Sequence, residues 1–235
     1  DRVGDIATER DALVKSIALD ASFAPAHNQL GLLDLQAGQM AEAEQHLKLA
    51  ISLDPQYAEA QSNLGVLYGQ QGNNQQAEHL FRQATENNPQ YAQAFVNLGL
   101  VLASQGRFPE AEVELHHALE LKPGNASALT ADAMVLTRLN RHTEAIAAFR
   151  KVIELTPQAA EAHLNLGIAL ADQFNLNEAL AEFSEAARLA PNSAITHYNR
   201  GRVLVDLQRN QEAKPELEEA TKLDPNATDS WYLLG

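Results

Sequence analysis

Cysteine is missing from this 235-residue chain, which rules out disulfides and thiolate metal sites. Basic residues are few: 17 lysines and arginines stand against 31 aspartates and glutamates, for a formal net charge of −14. So acidic a surface is ill suited to non-specific attachment to nucleic acid or anionic lipid, and no nucleic-acid partner is expected. Long apolar runs are also lacking. No stretch approaches the roughly 20 residues needed to cross a bilayer, so membrane insertion is not expected. There is no glycine-rich phosphate loop and no nucleophile elbow. His116 and His117 are adjacent and would point roughly 100° apart on a helix, poor geometry for one metal. The glutamates gather where a solvated face is expected, at Glu112, Glu114, Glu182, Glu216, Glu218 and Glu219. No catalytic residue, metal site or cofactor is therefore expected, and the compartment stays open.

What the chain has instead is a period. Pro55, Pro89, Pro123, Pro157, Pro191 and Pro225 follow one another at intervals of 34 residues, which belongs to repeat architectures and overrides a domain count based on length. Other columns keep the same spacing. Alanine recurs at Ala43, Ala77, Ala111, Ala145, Ala179 and Ala213; glycine recurs at Gly31, Gly65, Gly99, Gly167, Gly201 and Gly235, with Ala133 in the gap. A large apolar column reads Leu47, Phe81, Leu115, Phe149, Phe183 and Leu217. Small residues let two helices approach, and the large residue four places after each column alanine fills the space between them.

Within a unit the pattern is helix, tight turn, helix, tight turn. In the second unit Ala58–Gln71 carries apolar or small residues at helical spacing, and Gly72 supplies the left-handed residue that ends a helix. Gly38, Gly106 and Asn140 take that role elsewhere. A second helix is expected from about Gln75 to Asn87, with Glu42, Glu110, Glu144, Glu178 and Glu212 opening its counterparts against the helix dipole. Pro109 suits a first helical turn, and the column prolines stop each second helix. Pro215 falls inside a second helix, where a distorted first turn is expected.

These columns resemble the tetratricopeptide repeat family. The resemblance covers six full units, 24–57, 58–91, 92–125, 126–159, 160–193 and 194–227; residues 1–23 hold mainly the second helix of an earlier unit and 228–235 begin another. It implies an all-α, right-handed α-solenoid superhelix forming one domain. Because the chain starts and stops inside a unit, it is expected to be a segment of a longer protein. The family's tryptophan column is mostly replaced, reading His27, Gln61, Phe95, Leu129, His163 and His197 before Trp231. Those histidines share a bulky packing column and are expected to serve as core residues rather than ligands.

In the family the first helices line a concave groove that holds extended peptides. The face opposite the packed one offers Gln29; Asn63, Val66 and Gln70; Asn97 and Leu100; Met134 and Arg138; Asn165 and Ile168; Asn199 and Arg202. An amide provides a donor and an acceptor, matching one peptide unit without demanding a particular side chain, and the apolar neighbours can hold ligand side chains. The asparagines resemble the ladder in the repeat domain of O-linked N-acetylglucosamine transferases, which implies contact with a substrate peptide's backbone. Copying by unit duplication is the alternative origin. A clamp for chaperone C-termini is not expected, since its lysine column holds Asn28, Ser62, Val96, Thr130, Leu164 and Tyr198, and Asp172 and Asp206 would repel a carboxylate.

The fourth unit departs most, with Ala131 in the ladder, Asp132 in a leucine column and Val152 in a second small-residue column that otherwise reads Ala50, Ala84, Ala118, Ala186 and Ala220. It reads either as a break in the groove or as drift. Arg200 shares the Asp132 column and is expected to lay its stem on apolar surface with its head in water. The sequence thus points to a non-catalytic scaffold that binds a protein or peptide. Two alternatives stand beside it: a substrate-selecting arm of a larger enzyme, and self-association through open ends at Leu13 and Ile17 or at Trp231 and Leu234.

Overall fold

In the computed structural model, which describes residues 2–226 and 228–234, each 34-residue window is a helical hairpin. The first helices are α2 (Ala24–Gln36), α4 (Ala58–Gln70), α6 (Ala92–Ser104), α8 (Ala126–Arg138), α10 (Ala160–Asp172) and α12 (Ala194–Asp206). The second helices are α3 (Met40–Leu53), α5 (Asn74–Asn87), α7 (Phe108–Leu121), α9 (His142–Leu155), α11 (Leu176–Leu189) and α13 (Asn210–Leu223). Helix α1 (Arg2–Leu19) precedes them and α14 (Thr228–Leu234) follows. No strand occurs among the described residues. Ala227, Gly235 and the side chain of Leu234 lie outside the description.

The chain divides into two compact units, Asp1–Pro123 and Gly124–Gly235. Within each, the two helices of a hairpin pack along their length and each second helix packs on the first helix that follows. Each unit is thus a stretch of α-solenoid, the all-α class that the period predicts.

The core of every hairpin rests on one contact. In the first unit a Cβ added to Gly65 would fall 2.6 Å from the Phe81 ring, and one on Gly99 2.6 Å from Leu115. In the second unit Gly167 sits against Phe183 and Gly201 against Leu217 at 2.6–2.7 Å by the same measure. Ala133 and Phe149 make the variant pair, both buried. Burial of these large side chains contributes roughly 1.5–3 kcal/mol each.

Helix ends follow backbone rules. Each second helix stops two residues before a column proline, and the intervening residue is extended, as a residue before proline must be. The left-handed residue between the helices of a hairpin is Gly38, Gly72 or Gly106 in the first unit. In the second unit Asn140, Phe174 and Gln208 take it, at φ of 59°, 58° and 62°. Phe174 and Gln208 are not foreseen from the sequence, because the fold imposes this conformation whatever the side chain. Helix α13 is continuous through Pro215, so the expected disturbance of its first turn is not seen; what the proline forfeits is the one bond its N–H would give the Gln211 carbonyl.

Most of the tryptophan column has a shared task that its residue types conceal. Gln61 Nε2 donates to the Pro55 carbonyl at 2.8 Å, and Trp231 Nε1 to that of Pro225 at 3.1 Å. His163 Nε2 lies 3.1 Å from the Pro157 carbonyl and His197 Nε2 2.9 Å from that of Pro191. His27 repeats the contact with Ala21 at 3.2 Å. A carbonyl only accepts, so these five residues supply an N–H to the backbone six positions earlier, which Phe95 and Leu129 of the same column cannot do. His163 and His197 also set Nδ1 against Glu182 and Glu216, at 2.7 and 2.8 Å.

Candidate functional site

The outward face of the first helices differs between the units. In the first unit Asn63 on α4 donates Nδ2 to Asn28 Oδ1 on α2 at 2.8 Å, and Asn97 on α6 donates to Ser62 Oγ on α4 at 3.1 Å. Asn28 and Ser62 are each 1% exposed. The asparagines therefore tie successive first helices together, with one N–H each used for that purpose and one left over. Gln93 Nε2 supports Asn97 by donating to its Oδ1 at 3.0 Å. Behind them Tyr57 lies 3.4 Å from the Asn28 amide. Burial raises the Tyr57 and Tyr91 hydroxyls above the usual range, with Glu59 adding to the shift.

This face of the first unit opens into a cavity of about 370 Å³. Its apolar lining is Val66, Phe81, Leu100 and Val101, and its polar lining is Gln70, Asn74, Asn97 and Ser104, with Gly69 also present. Four residues singled out from the sequence, Val66, Gln70, Asn97 and Leu100, thus line one cavity. Leu100 stays 46% exposed although it is apolar. Gln29, on α2, is exposed and is not among the cavity's lining residues.

In the second unit the equivalent asparagines behave differently. Asn165 is half-buried on α10, and the Thr130 hydroxyl in the position of its would-be partner turns to the Ala126 carbonyl instead, at 2.9 Å. Asn199 on α12 is buried and donates to the Ile195 carbonyl at 2.8 Å. Leu164 stands where a polar partner would be needed, which accounts for that inward turn. Met134 is 49% exposed, Ile168 is half-buried, and Arg138 is exposed at the end of α8. Arg202 is partly buried with its Nε unbonded.

Departures within the repeat pattern are absorbed locally. Asp132 is buried and has an interaction partner. Arg200 places Nη1 2.9 Å from Glu216 Oε1, so its head meets a carboxylate as well as water. That pair borders a mixed cleft of about 380 Å³ with Ser184, Arg209 and Glu212. Asn125 accepts a hydrogen bond from the Ala128 N–H and caps α8. His117 packs edge-on against Phe95, with ring centroids 5.5 Å apart. No cluster of three potential metal ligands exists among the described residues, and no described helix is long and apolar enough to cross a membrane. At the chain ends Leu13 and Ile17 are half-buried, and Trp231 is 54% exposed.

Stacked hairpins with a side-chain-lined face on their first helices define a repeat protein of the tetratricopeptide class. Models of the tetratricopeptide repeat match residues 22–90, residues 62–126 and 130–194, and residues 194–227. The chain belongs to the tetratricopeptide repeat family, whose members generally mediate protein–protein interactions and whose fold is typically a non-catalytic scaffold. No curated protein sequence matches it. Among solved structures it resembles the APC/C hetero-tetramer Cut9-Hcn1, at 18% identity and a TM-score of 0.83, covering 99% of this chain and 46% of that one. It also resembles pilF of Pseudomonas aeruginosa, at 22% identity and a TM-score of 0.81, covering 91% of this chain and 96% of the other. YrrB, described as a tetratricopeptide protein with an unusual peptide-binding site, aligns at 22% identity and a TM-score of 0.67 over 79% of this chain and 96% of its own. The chain spans under half the length of the first of these and nearly all of the other two. At such identities the likeness is one of fold.

Proposed function

We propose that the chain is a binding scaffold that captures an extended segment of a partner protein along the outward face of its first helices. The observation that carries this reading is the cavity of the first unit, where Val66, Gln70, Asn97 and Leu100 set amides beside apolar surface. An extended segment has backbone groups to satisfy and side chains to bury, and such a face serves both needs. In the second unit Asn165, Met134 and Ile168 offer the same mixture.

Panning a displayed random-peptide library on the immobilised chain tests the proposal. Enriched peptides should bind Leu100→Asp at least about 10-fold more weakly, a loss of roughly 1.4 kcal/mol. Asn165→Ala should weaken those peptides that extend over the second unit. Equal affinity for the wild type and for both variants, with helicity unchanged, would sink the reading. Alanine at Asn63 or Asn97 is the poorer probe, because those side chains also join neighbouring helices.

A further inference from the structure

Gly69 lines the cavity in the first unit, and its missing side chain leaves part of that space open. Gly69 occupies the repeat position filled by Leu35 in the preceding hairpin and by Ala103 in the following one. A Cβ added there would meet only the Ala77 Cβ, at 3.9 Å, which is ordinary contact distance. The glycine is not required by its own backbone, since its φ is an ordinary helical one, and glycine inside a helix costs about 0.5–1 kcal/mol relative to alanine. It borders a space of about 370 Å³ bounded by α4, α5 and α6.

The lining of that space is uncharged throughout, in a chain whose net charge is −14. Apolar surface comes from Val66, Phe81, Leu100 and Val101, and the polar atoms beside it are neutral amides and a hydroxyl. A lysine or arginine would find no carboxylate there, and an aspartate or glutamate no cation. A charge drawn under the apolar wall would gain no ion pair for the hydration it gives up, a cost that apolar groups do not bear. The volume lies at the low end of the range for ligand pockets, about 300–1,000 Å³, and is room enough for one large side chain.

We infer that this cavity is the selectivity pocket of the groove, that it takes one large uncharged apolar side chain from the bound segment, and that Gly69 is its specificity-determining residue. The inference rests on the peptide-capture reading and adds the chemistry of the anchor. An anchor of leucine or aromatic type fills the position that Leu35 fills from within the preceding hairpin, while Gln70 and Asn97 remain beside it for the flanking backbone.

The test uses the whole chain, labelled at its methyl groups, titrated with N-acetyl-leucine methylamide and, separately, with the lysine and glutamate analogues. Saturable shifts at the Val66, Leu100 and Val101 methyls are expected with the leucine probe, and at least about 10-fold weaker binding with either charged probe. Gly69→Leu should abolish the response, and Gly69→Ala, which fills less of the space and favours the helix, should reduce it while guarding against misfolding. Failure of the leucine probe to shift those methyls, equal binding of the charged probes, or an undiminished response in Gly69→Leu overturns the inference. The two readings fail separately. Library peptides that depend on Leu100 yet ignore Gly69→Leu leave the groove standing without this pocket; a leucine response with no peptide sensitive to Leu100→Asp leaves the pocket without peptide capture.

Discussion

The two units share one packing scheme and differ in several of the polar details built on it. Large side chains cover glycine in both. Around that contact the first unit uses glycine for all three left-handed turn residues, and the second uses asparagine, phenylalanine and glutamine. The position before each first helix is Phe23, Tyr57 or Tyr91 in the first unit but Asn125, Ala159 or Ser193 in the second. Asn125 and Ser193 cap their helices with side-chain oxygens, whereas the tyrosines forgo the cap and reach toward the preceding hairpin. The glutamates at Glu44, Glu78 and Glu112 have Ile146, Leu180 and Lys214 as counterparts. Backbone geometry is therefore what the period enforces, and polar contacts are free to vary where they do not disturb it.

The strongest test of the shared scheme is to remove the same ring from each unit. Phe81→Ala and Phe183→Ala should each cost about 3–5 kcal/mol, because both are buried against a glycine that cannot fill the gap. Hydrogen exchange resolved by hairpin should show comparable losses centred on the altered site. A large loss in one unit and a trivial one in the other would refute the idea of a common core.

A smaller effect should divide the units. Asn63→Ala strands the buried Asn28 oxygen and should cost about 1–3 kcal/mol. Asn165→Ala breaks no such tie among the described residues, since the Thr130 hydroxyl is turned to the Ala126 carbonyl, and should stay within about 0.5 kcal/mol. Thermal melts of the two variants would check the contrast, and identical losses would show that the ladder does the same work throughout.

Smaller still is the turn effect. Phe174→Gly relieves a left-handed backbone that costs a side-chain-bearing residue roughly 1–2 kcal/mol, but adds the flexibility of glycine to the unfolded chain. A net gain of about 0.5 kcal/mol is expected, and Gly72→Phe in the first unit should lose a comparable or larger amount. If Phe174→Gly destabilises instead, the exposed phenylalanine has a packing role that its 86% exposure does not suggest.

Periodicity exposed most of the fold and part of the site, and the division has a physical cause. Positions 34 apart share a backbone environment, so the helices, the prolines and the glycine contact could be read from columns. The ladder's partner lies 35 residues back, Asn63 to Asn28 and Asn97 to Ser62, and depends on how one helix is offset against the next. No column displays that offset. The task of the tryptophan column was hidden as well, because five of its seven residues share a side-chain N–H rather than hydrophobicity. Gly69 was equally hidden, since a missing side chain becomes a cavity only when the walls around it are known.

The least dramatic difference between the units should appear on acidification. Burial alone would push the Glu78 carboxyl upward, but its hydrogen bonds from Arg107, Arg82 and Gln105 prevail and hold it below the usual glutamate range. Arg107 Nη1 approaches it at 2.8 Å and Arg82 at 2.9 Å. Glu44 is lowered as well, chiefly by Lys48 and then by Tyr68. A carboxylate depressed on folding adds stability that is fully present above its unfolded value, near about 4.3, and is lost as the pH falls through the folded value. Leu180 stands in the Glu78 position of the second unit and has no proton to gain. Exchange protection of α5 and α7 should therefore decline with falling pH below about 4.3, and Glu78→Gln should be less stable at neutral pH but flatter in that window. A variant as acid-sensitive as the wild type would remove Glu78 as the cause and place the sensitivity on groups that the units have in common.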